Sequence, residues 1–428
     1  MKKNLFTLAV AGLTIFNSFA QYNWTKYVNN PVLSGRTNPG FDMVVADPAV
    51  IYDNSDSLYK MWYTAAGVIP GDTHARPRIG YAASPDGINW ARVGSPILSN
   101  GSTYSWDAYG TETCWTIKIS DSLYCMYYSG YPYVDSNNNQ QRAQIGLATS
   151  SDGVNWTKSL NNPILTIDTT SITNRWSSWG LWGPVVLKES SDYKMWYLGV
   201  GPDSAGGQMV WGIGYATSTD GISWNRNAEP VIYSDTSSFF KKISDIAVLK
   251  IDSTYYIWFS ATKQDNDNYE TWLAKSNDGI TWEIDSLAPV LPKGPAGSWD
   301  YFNAFAPSVL QIGNELEMWY HGSSDTSATN LKIGLATANI ETLVPTKFNT
   351  KTINIFPNPS SSVINFSVSG LSTIQQIEVY DLTGRMLKQI SGLNVQEYIL
   401  QDGGLSPGLY ITKIKLNTGF VTKKIILE

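Results

Sequence analysis

The stretch IGLATSSDGVNWTKSLNNPIL, residues 145–165, holds the pattern that decides the fold. Its second part recurs at residues 83–98, 217–232 and 275–291, each time with Asp-Gly followed by a Trp three residues after the Gly. An Asp-Gly pair between two apolar runs favours a tight β-hairpin, because that turn needs a positive φ that Gly and Asp tolerate. The repeated phrase therefore predicts one strand before the turn and one strand after it.

A second phrase precedes each copy and has two runs rich in Val, Ile, Tyr and Trp around a short polar turn, as in IYDNSDSLYKMWY. Such runs are typical of two further strands. The phrase occurs five times, at residues 47–65, 112–130, 183–199, 245–261 and 306–322. Four antiparallel strands, named A to D here, repeated five times, predict an all-β chain built as a five-bladed β-propeller.

The N-terminus explains an apparent gap in this pattern. The fifth unit stops after IGLATANI, residues 333–340, and has no strand D. Residues 22–33, YNWTKYVNNPVL, match VNWTKSLNNPIL at residues 154–165 in eight of twelve positions. We therefore expect the N-terminal segment to supply the missing strand and to close a propeller over residues 21–340, leaving no strand edge open at the seam.

Residues 1–20 have the features of a secretory signal peptide. Lys2 and Lys3 precede an apolar run from Leu5 to Phe16, and Ser18-Phe19-Ala20 forms a small-residue cleavage site. A membrane anchor is the weaker alternative, because the run is shorter than the roughly 20 residues that a membrane-spanning helix needs. We expect export and no transmembrane segment.

The two cysteines, Cys114 and Cys125, are expected on the two strands of one hairpin that turns near residues 121–122. That register pairs Cys114 with about Ser129, which keeps the two sulfurs too far apart for a disulfide. With no further cysteine, a cysteine-based metal site is disfavoured. We expect no cofactor, and a structural metal ion in the central channel stays an open alternative.

The composition changes after a linker at residues 341–352. Within residues 353–428 the motifs FPNPSSSVINFSV, IEVYDLTGRMLKQ and LSPGLYITKIKLNTGFVTKKIIL follow in order. This segment resembles the C-terminal sorting domain of type IX secretion cargo, and we expect a small β-sandwich. The resemblance implies handling by the type IX secretion machinery, passage across an outer membrane, and then release or attachment at the cell surface.

Composition narrows the class of partner. The chain has a formal net charge of −6 and 13% aromatic residues, including 17 Trp. Because a phosphate-binding surface needs the opposite sign of charge, nucleic acid is disfavoured. A neutral or cationic partner, such as a carbohydrate, fits the composition better.

The loops of the blades predict where a site lies. The A–B and C–D turns are short and alike, whereas the B–C and D–A connections on the opposite face are long and dissimilar, as functional loops on a rigid frame are. Strand A is innermost and begins on that loop-rich face. Aligning the copies predicts one slot there, which holds Asp47, Glu112, Gly183, Asp245 and Ala306.

Three carboxylates in one slot raise one another's pKa. A carboxylic acid beside a carboxylate is the arrangement that glycoside hydrolysis uses. The alternative is that each of them accepts hydrogen bonds from neighbouring loop amides. We therefore take Asp47, Glu112 and Asp245 as candidate catalytic residues.

Aromatic and basic side chains near the same face are candidates for substrate binding. A flat ring suits the apolar C–H face of a sugar. The candidates are Trp106, Trp179, Trp182, Trp299, His321, Arg76 and Arg142. Packing is the alternative for each Trp and a structural role the alternative for His321, whereas the arginines are placed to pair with the carboxylates.

The five-unit pattern over residues 22–340, together with Asp47-Pro48, resembles the furanosidase superfamily, which includes glycoside hydrolase families 43, 32, 62 and 130. The resemblance implies that Asp47 is a base or nucleophile and that Glu112 of blade two is a second acid that tunes the site. Families 43 and 32 carry a general-acid Glu just before a Gly-Pro in blade three. Here that position is Trp182, so that Glu112 or Asp245 takes the acid role, or the ring binds glycan without cleaving it.

Two shorter resemblances bear on the family. Tyr320-His321-Gly322 is similar to a motif of family 130. The S-x-D-G-x-x-W phrase resembles the Asp-box of sialidases, but it is one residue short, and five units fit a six-bladed sialidase ring poorly. Three hypotheses follow: an exported glycoside hydrolase-like enzyme, a non-catalytic glycan-binding propeller, and an adhesin-like surface protein whose loops bind another protein.

Overall fold

The computed structural model describes residues 24–340 and 354–428, except 38–39, 70, 133–141, 168–174, 203–208, 235–238, 286–287, 328, 361–362, 369–372, 382–384, 402–403 and 417–418. The signal peptide expected at residues 1–20 and the linker expected at 341–352 lie outside the described residues. The chain divides into two compact units, with the division between Leu343 and Val344.

The regular secondary structure described in the first unit is almost entirely β-strand. It begins with β1 (Thr25–Lys26) and β2 (Leu33–Ser34). Blade one then holds β3 (Val44–Asp53), β4 (Leu58–Ile69), β5 (Asp72–Ser84) and β6 (Ala91–Arg92). Blade two holds β7 (Gly110–Ser120), β8 (Leu123–Tyr131), β9 (Gln144–Ser150) and β10 (Thr157–Lys158).

The remaining blades follow the same order. A short 3-10 helix (Arg175–Ser177) precedes blade three, which holds β11 (Gly180–Lys188), β12 (Tyr193–Pro202), β13 (Met209–Ser218), β14 (Asn225–Arg226) and β15 (Ile232–Ser234). Blade four holds β16 (Phe240–Ile251), β17 (Thr254–Lys263), β18 (Glu270–Ser276) and β19 (Glu283–Asp285). Blade five holds β20 (Asn303–Ile312), β21 (Glu315–Ser323) and β22 (Lys332–Asn339), with β1 and β2 added.

Each blade is an antiparallel meander, and its first long strand is strand A of the predicted repeat. The five A strands contact one another in sequence, from β3 to β7, β11, β16 and β20, and β20 contacts β3. The all-β prediction is confirmed. Strand D is short in each blade and comes in two pieces, the second of which reaches strand C through residues such as Leu98, Leu165 and Leu291.

The N-terminal segment pairs with blade five as its strand D. Thr25 lies opposite Thr337, as Thr157 lies opposite Thr149 in blade two. The Asn30 side chain donates to the carbonyl of Leu335 and accepts from its amide, both at 2.8 Å. Asn162 makes the same two bonds to Leu147, at 2.9 and 2.8 Å. The matching sequences therefore make matching hydrogen bonds.

The Asp-Gly phrase forms the predicted turn and also joins neighbouring blades. The Gly of each copy has a positive φ, between 71° and 78°. In blade two, Asp152 Oδ1 accepts the amides of residues 154 and 155 at 2.8 Å. The indole N–H of Trp62, from strand B of blade one, donates to the carbonyl of Gly153 at 2.8 Å. The repeated phrase is therefore part of the frame.

Both cysteines are free, as predicted for this hairpin. Cys125 lies opposite Ile117, and Ser129 lies opposite Glu112, so that Cys114 is several residues away from Cys125 along the ladder.

The second unit has two sheets that face one shared core. The strands are β23 (Asn354–Phe356), β24 (Val363–Ser367), β25 (Ile374–Tyr380), β26 (Met386–Val395), β27 (Glu397–Gln401), β28 (Gly408–Leu416) and β29 (Gly419–Leu427). One sheet has the order β23-β24-β27 and the other β26-β25-β28-β29. Phe366 of the first sheet and Ile377 and Ile414 of the second are completely buried together, which makes the unit a small β-sandwich. In the part of the chain that the structure describes, no helix is long and apolar enough to span a membrane.

Candidate functional site

Each innermost strand contains a β-bulge, at the same level in blades one, two, three and five and one residue earlier in blade four. In blade one Ala46 pairs with Thr64 and the next pair is Ala49 with Trp62, so that two residues are skipped. The five bulge dipeptides are Asp47-Pro48, Thr113-Cys114, Gly183-Pro184, Ser244-Asp245 and Ala306-Pro307. A bulge turns side chains in a new direction and is common beside active sites.

The first bulge residue has a positive φ in four of the five blades. The values are 45° for Asp47, 45° for Thr113, 52° for Gly183 and 52° for Ala306. For a residue other than glycine this conformation costs on the order of 1–3 kcal/mol and persists only where the surroundings enforce it. The two flanking strand pairs hold Asp47 in this conformation, so its carboxylate starts from a rigid backbone.

The positions of the bulges show which of the five residues in the predicted slot are structurally equivalent. Asp47, Gly183 and Ala306 do occupy equivalent positions, but Glu112 lies one residue before the bulge of its blade. Asp245 keeps its predicted position: it lies two residues before Ala247, the partner of Trp258, as Asp47 lies two residues before Ala49, the partner of Trp62. The alignment was therefore wrong in blade two, because an inserted residue shifts the register there without a signal in the local composition.

The five bulges surround a pocket of about 300 Å³, a volume that includes its opening to solvent. Its lining consists of nine of the bulge residues and three residues that follow a bulge: Asp47, Pro48, Thr113, Cys114, Trp115, Gly183, Pro184, Val185, Asp245, Ile246, Ala306 and Pro307. Two of the three predicted carboxylates, Asp47 and Asp245, thus line one pocket.

The third carboxylate, Glu112, is close enough to interact electrostatically with both of the others. Burial, followed by the negative charges of Asp47 and Asp245, raises the pKa of Glu112 to about 8. The Tyr131 hydroxyl, 3.3 Å from Oε2, and the indole N–H of Trp182 act in the opposite direction, because they donate hydrogen bonds to the charged form. At neutral pH Glu112 is therefore mostly protonated.

Asp245 also has a raised pKa, caused first by burial and then by the charge of Asp47. The Ser244 hydroxyl, which donates to Oδ2 at 2.7 Å, and His321 both lower it. The three carboxylates predicted from the sequence therefore interact with one another. Among the described residues, no group of three or more His, Cys, Asp or Glu side chains is arranged to hold a metal ion.

His321 lies behind Asp47 and is 3% exposed. Its Nδ1 is 3.0 Å from Asp47 Oδ1 and 3.1 Å from the Asp47 backbone nitrogen. Its ring meets the edge of Phe305, with 3.7 Å between the ring centroids. Phe305 stacks in turn on Tyr269, whose pKa is raised by burial and by Asp245.

Of the tryptophans predicted to bind substrate, some lie near the carboxylates and others pack against glycines within a blade. Trp182 is half-buried and bonds to Glu112, while Trp179 is 42% exposed just before it on the chain. Trp106 instead covers two glycines of its own blade: a Cβ at Gly130 or Gly146 would lie 2.5 or 2.6 Å from its ring. Packing accounts for Trp106, and a part in substrate binding stays a prediction for it and for Trp179.

Trp299 repeats this packing in blade five, where a Cβ at Gly334 would lie 2.5 Å from its ring. The next residue, Asp300, accepts hydrogen bonds from Tyr320 at 3.1 Å and from Lys26 at 2.6 Å. Asp107 holds the equivalent tyrosine and lysine of blade two. Each Trp-Asp pair thus fixes a D–A connection, which explains Trp299 by packing as well.

Arg76 is half-buried, and its Nε lies 3.3 Å from Asp72 Oδ2. Its guanidinium also lies 5.8 Å from the centre of the Tyr109 ring. The ion pair with Asp72 differs from the expected pairing with the three carboxylates. Arg142 is exposed, and its part in binding stays a prediction.

Sequence reasoning missed Tyr131 and the hydroxyl side chains of strand B. Tyr131 opens a loop whose sequence differs between blades, so no repeat drew attention to it. Thr64, Ser129 and Ser260 share a repeat position with His321, which was the available signal for them.

Comparison with known proteins identifies the second unit. Residues 354–428 match the family model described as a secretion system C-terminal sorting domain. The C-terminal unit is a type IX secretion sorting domain. This domain marks proteins that the type IX system secretes, either to the cell surface or into the medium, and the chain carries that mark.

Sequence relatives of the first unit are distant. A 1,2-β-oligomannan phosphorylase of Thermoanaerobacter sp. (strain X514) is 24% identical over 159 residues, which are 34% of this chain and 54% of the phosphorylase. The chain therefore matches about half the length of that relative. An uncharacterised protein of Mycobacterium tuberculosis (strain CDC 1551 / Oshkosh) is 24% identical over 269 residues, which are 56% of this chain and 82% of that protein.

Solved structures share the fold of the first unit. One belongs to the glycoside hydrolase family 130 of mannoside phosphorylases, which contains glycoside hydrolases that target β-1,2 mannosidic linkages in Candida mannan. It has a TM-score of 0.56 and 16% identity, over 76% of this chain and 96% of that one. A β-1,2-mannobiose phosphorylase of Listeria innocua has a TM-score of 0.54 and 13% identity, over 76% and 98%. A glycosyl hydrolase of Bacteroides ovatus has a TM-score of 0.55 and 18% identity, over 74% of this chain and 94% of that one.

Proposed function

We propose that the exported protein is a glycoside hydrolase that cleaves an oligosaccharide or polysaccharide at the pocket between the five bulges. The observation that carries the proposal is the group of three interacting carboxylates, of which Asp47 and Asp245 line one pocket and Glu112 has a pKa raised to about 8. Glycoside hydrolysis needs a carboxylic acid and a carboxylate on either side of the scissile bond. The propeller fold shared with glycoside hydrolases adds support.

Glu112 is the general acid in this proposal. Its pKa of about 8 keeps the proton on the carboxyl at neutral pH, ready for transfer to the leaving-group oxygen. A positioned general acid typically accelerates such a step by about 10² to 10⁴-fold. Tyr131 and Trp182, which both donate towards Glu112, stabilise the carboxylate that remains after the proton has left.

Asp47 is the base or nucleophile. It lines the pocket, and the bulge with its positive φ holds its backbone rigidly. Asp245 is the third negative charge, and it helps to keep the proton on Glu112. The developing positive charge of an oxocarbenium-like transition state is stabilised by the carboxylates around it.

The charge of the pocket favours water over inorganic phosphate as the acceptor. Both hydrolases and phosphorylases share this fold. Among the described lining residues there are two carboxylates and no Lys or Arg. A phosphate ion there would face like charges without a compensating cation, which costs several kcal/mol in a poorly solvated site. A water molecule is uncharged and is not repelled by the carboxylates.

A non-catalytic glycan-binding propeller is the second candidate. It is favoured by Trp182, which stands where glycoside hydrolase families 43 and 32 carry their general-acid Glu. The exposed ring of Trp179 close to it on the chain offers a flat apolar surface to a sugar.

The test is a cleavage screen with the mature protein, with and without inorganic phosphate. The panel contains neutral plant and microbial glycans, with β-1,2-linked manno-oligosaccharides among them, and products are separated by chromatography. The variants are Asp47→Asn and Glu112→Gln, and the control is Glu283→Gln, a carboxylate on the outer strand of blade four that is 49% exposed.

Hydrolysis that is lost in both site variants and kept in the control is the expected result. Glycan binding without cleavage across the panel favours the second candidate. A sugar 1-phosphate formed only with phosphate present contradicts the assignment of water as the acceptor.

A further inference from the structure

The bulges are joined to the preceding blade by one side chain of its strand B. Thr64 Oγ1 accepts the amide of Thr113 at 2.9 Å. Ser129 Oγ accepts the amide of Gly183 at 3.1 Å. These bonds satisfy an amide that the bulge removes from the sheet ladder, and an unpaired buried amide costs about 1–3 kcal/mol.

The same contact recurs between blades four and five, where Ser260 Oγ accepts the amide of Ala306 at 2.8 Å. In blade three the equivalent residue is Leu198, which has no polar side-chain atom. Between blades five and one the residue is His321, whose Nδ1 accepts the amide of Asp47 at 3.1 Å. The frame needs only a hydrogen-bond acceptor at this position, and a hydroxyl supplies it in three blades.

Unlike the hydroxyl side chains, His321 also contacts a carboxylate. Its Nδ1 is also 3.0 Å from Oδ1 of the same aspartate. A ring nitrogen has one site in the plane of the ring, which holds either a lone pair or a hydrogen. With a lone pair Nδ1 accepts the Asp47 amide, and with a hydrogen it donates to the Asp47 carboxylate. The bulge residues at the hydroxyl positions, namely Thr113, Gly183 and Ala306, carry no carboxylate.

The contact between His321 and Asp47 lies among several other ionisable groups. The negative charges that face His321 are those of Asp47 and Asp245. Glu112, Tyr131 and Cys114 face Asp47 from blade two. In the described residues the Nε2 atom of His321 is buried and has no hydrogen-bond partner in the protein. The imidazole is thus a group able to carry positive charge inside a cluster of carboxylates.

We infer that His321 is a positioning residue, which fixes the direction of the Asp47 carboxylate and stabilises its negative charge, and that it does not contact substrate. The inference rests on the proposed function for its kinetic consequence. The geometry on which it stands is independent of that function, because the two Nδ1 contacts exist in the protein alone.

The kinetic test uses His321→Ser and His321→Thr, which place at this position the hydroxyls that Ser129 and Thr64 provide in other blades. These variants keep an acceptor for the Asp47 amide but remove the imidazole from the carboxylate. We expect kcat to fall about 10- to 100-fold with KM nearly unchanged, as misplacement of a reacting group does. The acid limb of the pH profile of kcat/KM moves to higher pH, because the carboxylate loses a stabilising neighbour.

The matched control is Thr64→Ser, the same strand-B position in blade one, which contacts a bulge of blade two that has no carboxylate, and it should change neither kcat nor the pH profile. A fall in affinity with kcat unchanged would make His321 a substrate contact and overturn the inference. Unchanged kcat and pH profile in both His321 variants would overturn it as well.

A second measurement separates this inference from the proposed function. The chain has two histidines, and His74 is exposed, so its ring signal serves as an internal reference in NMR spectra. Asp47→Asn should shift the ring nitrogen signals of His321, because Nδ1 loses the carboxylate 3.0 Å away, and leave those of His74 unchanged. Unmoved His321 signals would refute the pairing. Absence of glycan cleavage by the wild type, with this shift present, would refute the proposed function alone.

Discussion

Replacing Glu112 with Gln should make the propeller more stable at alkaline pH. The pKa of Glu112 is raised from 4.5 to about 8, first by burial and then by Asp47 and Asp245. The folded protein therefore holds this proton more tightly than the unfolded chain does. As pH rises from about 4.5 to 8, ionisation favours the unfolded chain, so the free energy of unfolding falls. The penalty is absent below this window and complete above it.

The magnitude follows from the pKa values. A rise from 4.5 to about 8 corresponds to roughly 5 kcal/mol as an upper limit, since each pKa unit is worth 1.36 kcal/mol. Glu112 is only half-buried, and relaxation around the charge reduces the figure. We expect the stability of Glu112→Gln relative to the wild type to increase by about 2–4 kcal/mol between pH 5 and pH 9.

Urea unfolding of the mature protein followed by tryptophan fluorescence measures this difference. Residues 353–428 contain no Trp, so the signal reports the propeller and not the sorting domain. Glu189→Gln is the control: bonds from Lys194, Lys250 and Tyr255 outweigh burial and lower its pKa to about 2, so its effect should be constant between pH 5 and pH 9. A pH-independent difference for Glu112→Gln would refute the electrostatic account of the pocket.

Two further variants test the surroundings of the site. Trp182→Phe removes an indole donor that lowers the pKa of Glu112, so this pKa should rise and the alkaline limb of the kcat/KM profile should move to higher pH; an unmoved limb would contradict the contact. Gly146→Ala places a methyl group 2.6 Å from the Trp106 ring and should cost about 1–3 kcal/mol in urea unfolding, whereas Gly94→Ala, with nothing within 4 Å, should not.

The repeats made the fold predictable because each repeated residue makes the same local bond. The Asp-Gly turn binds its own amides, and the N-terminal copy of the phrase was enough to predict the partner of blade five. Asn30 and Asn162 make the same pair of bonds to strand C. These contacts depend on neighbours that the repeat itself supplies.

The site was predictable only in outline. Asp47, Glu112 and Asp245 were found because strand A begins at the loop-rich face, but the irregularity that shifts Glu112 leaves no mark on composition. The pairing of His321 with Asp47 joins residues 274 positions apart. The packing of Trp106 depends on Gly130 and Gly146, glycines of two other strands. Sequence proximity carries none of this information.

The central claim is that Glu112 donates the proton in glycoside cleavage. The direct test compares Glu112→Gln on a cleaved natural glycan with the same variant on an aryl glycoside of the same sugar, whose phenolate leaves without a proton. The account predicts a loss of kcat/KM of about 10² to 10⁴-fold on the glycan and a much smaller loss on the aryl glycoside. Equal losses on the two substrates, or no loss on either, would contradict it.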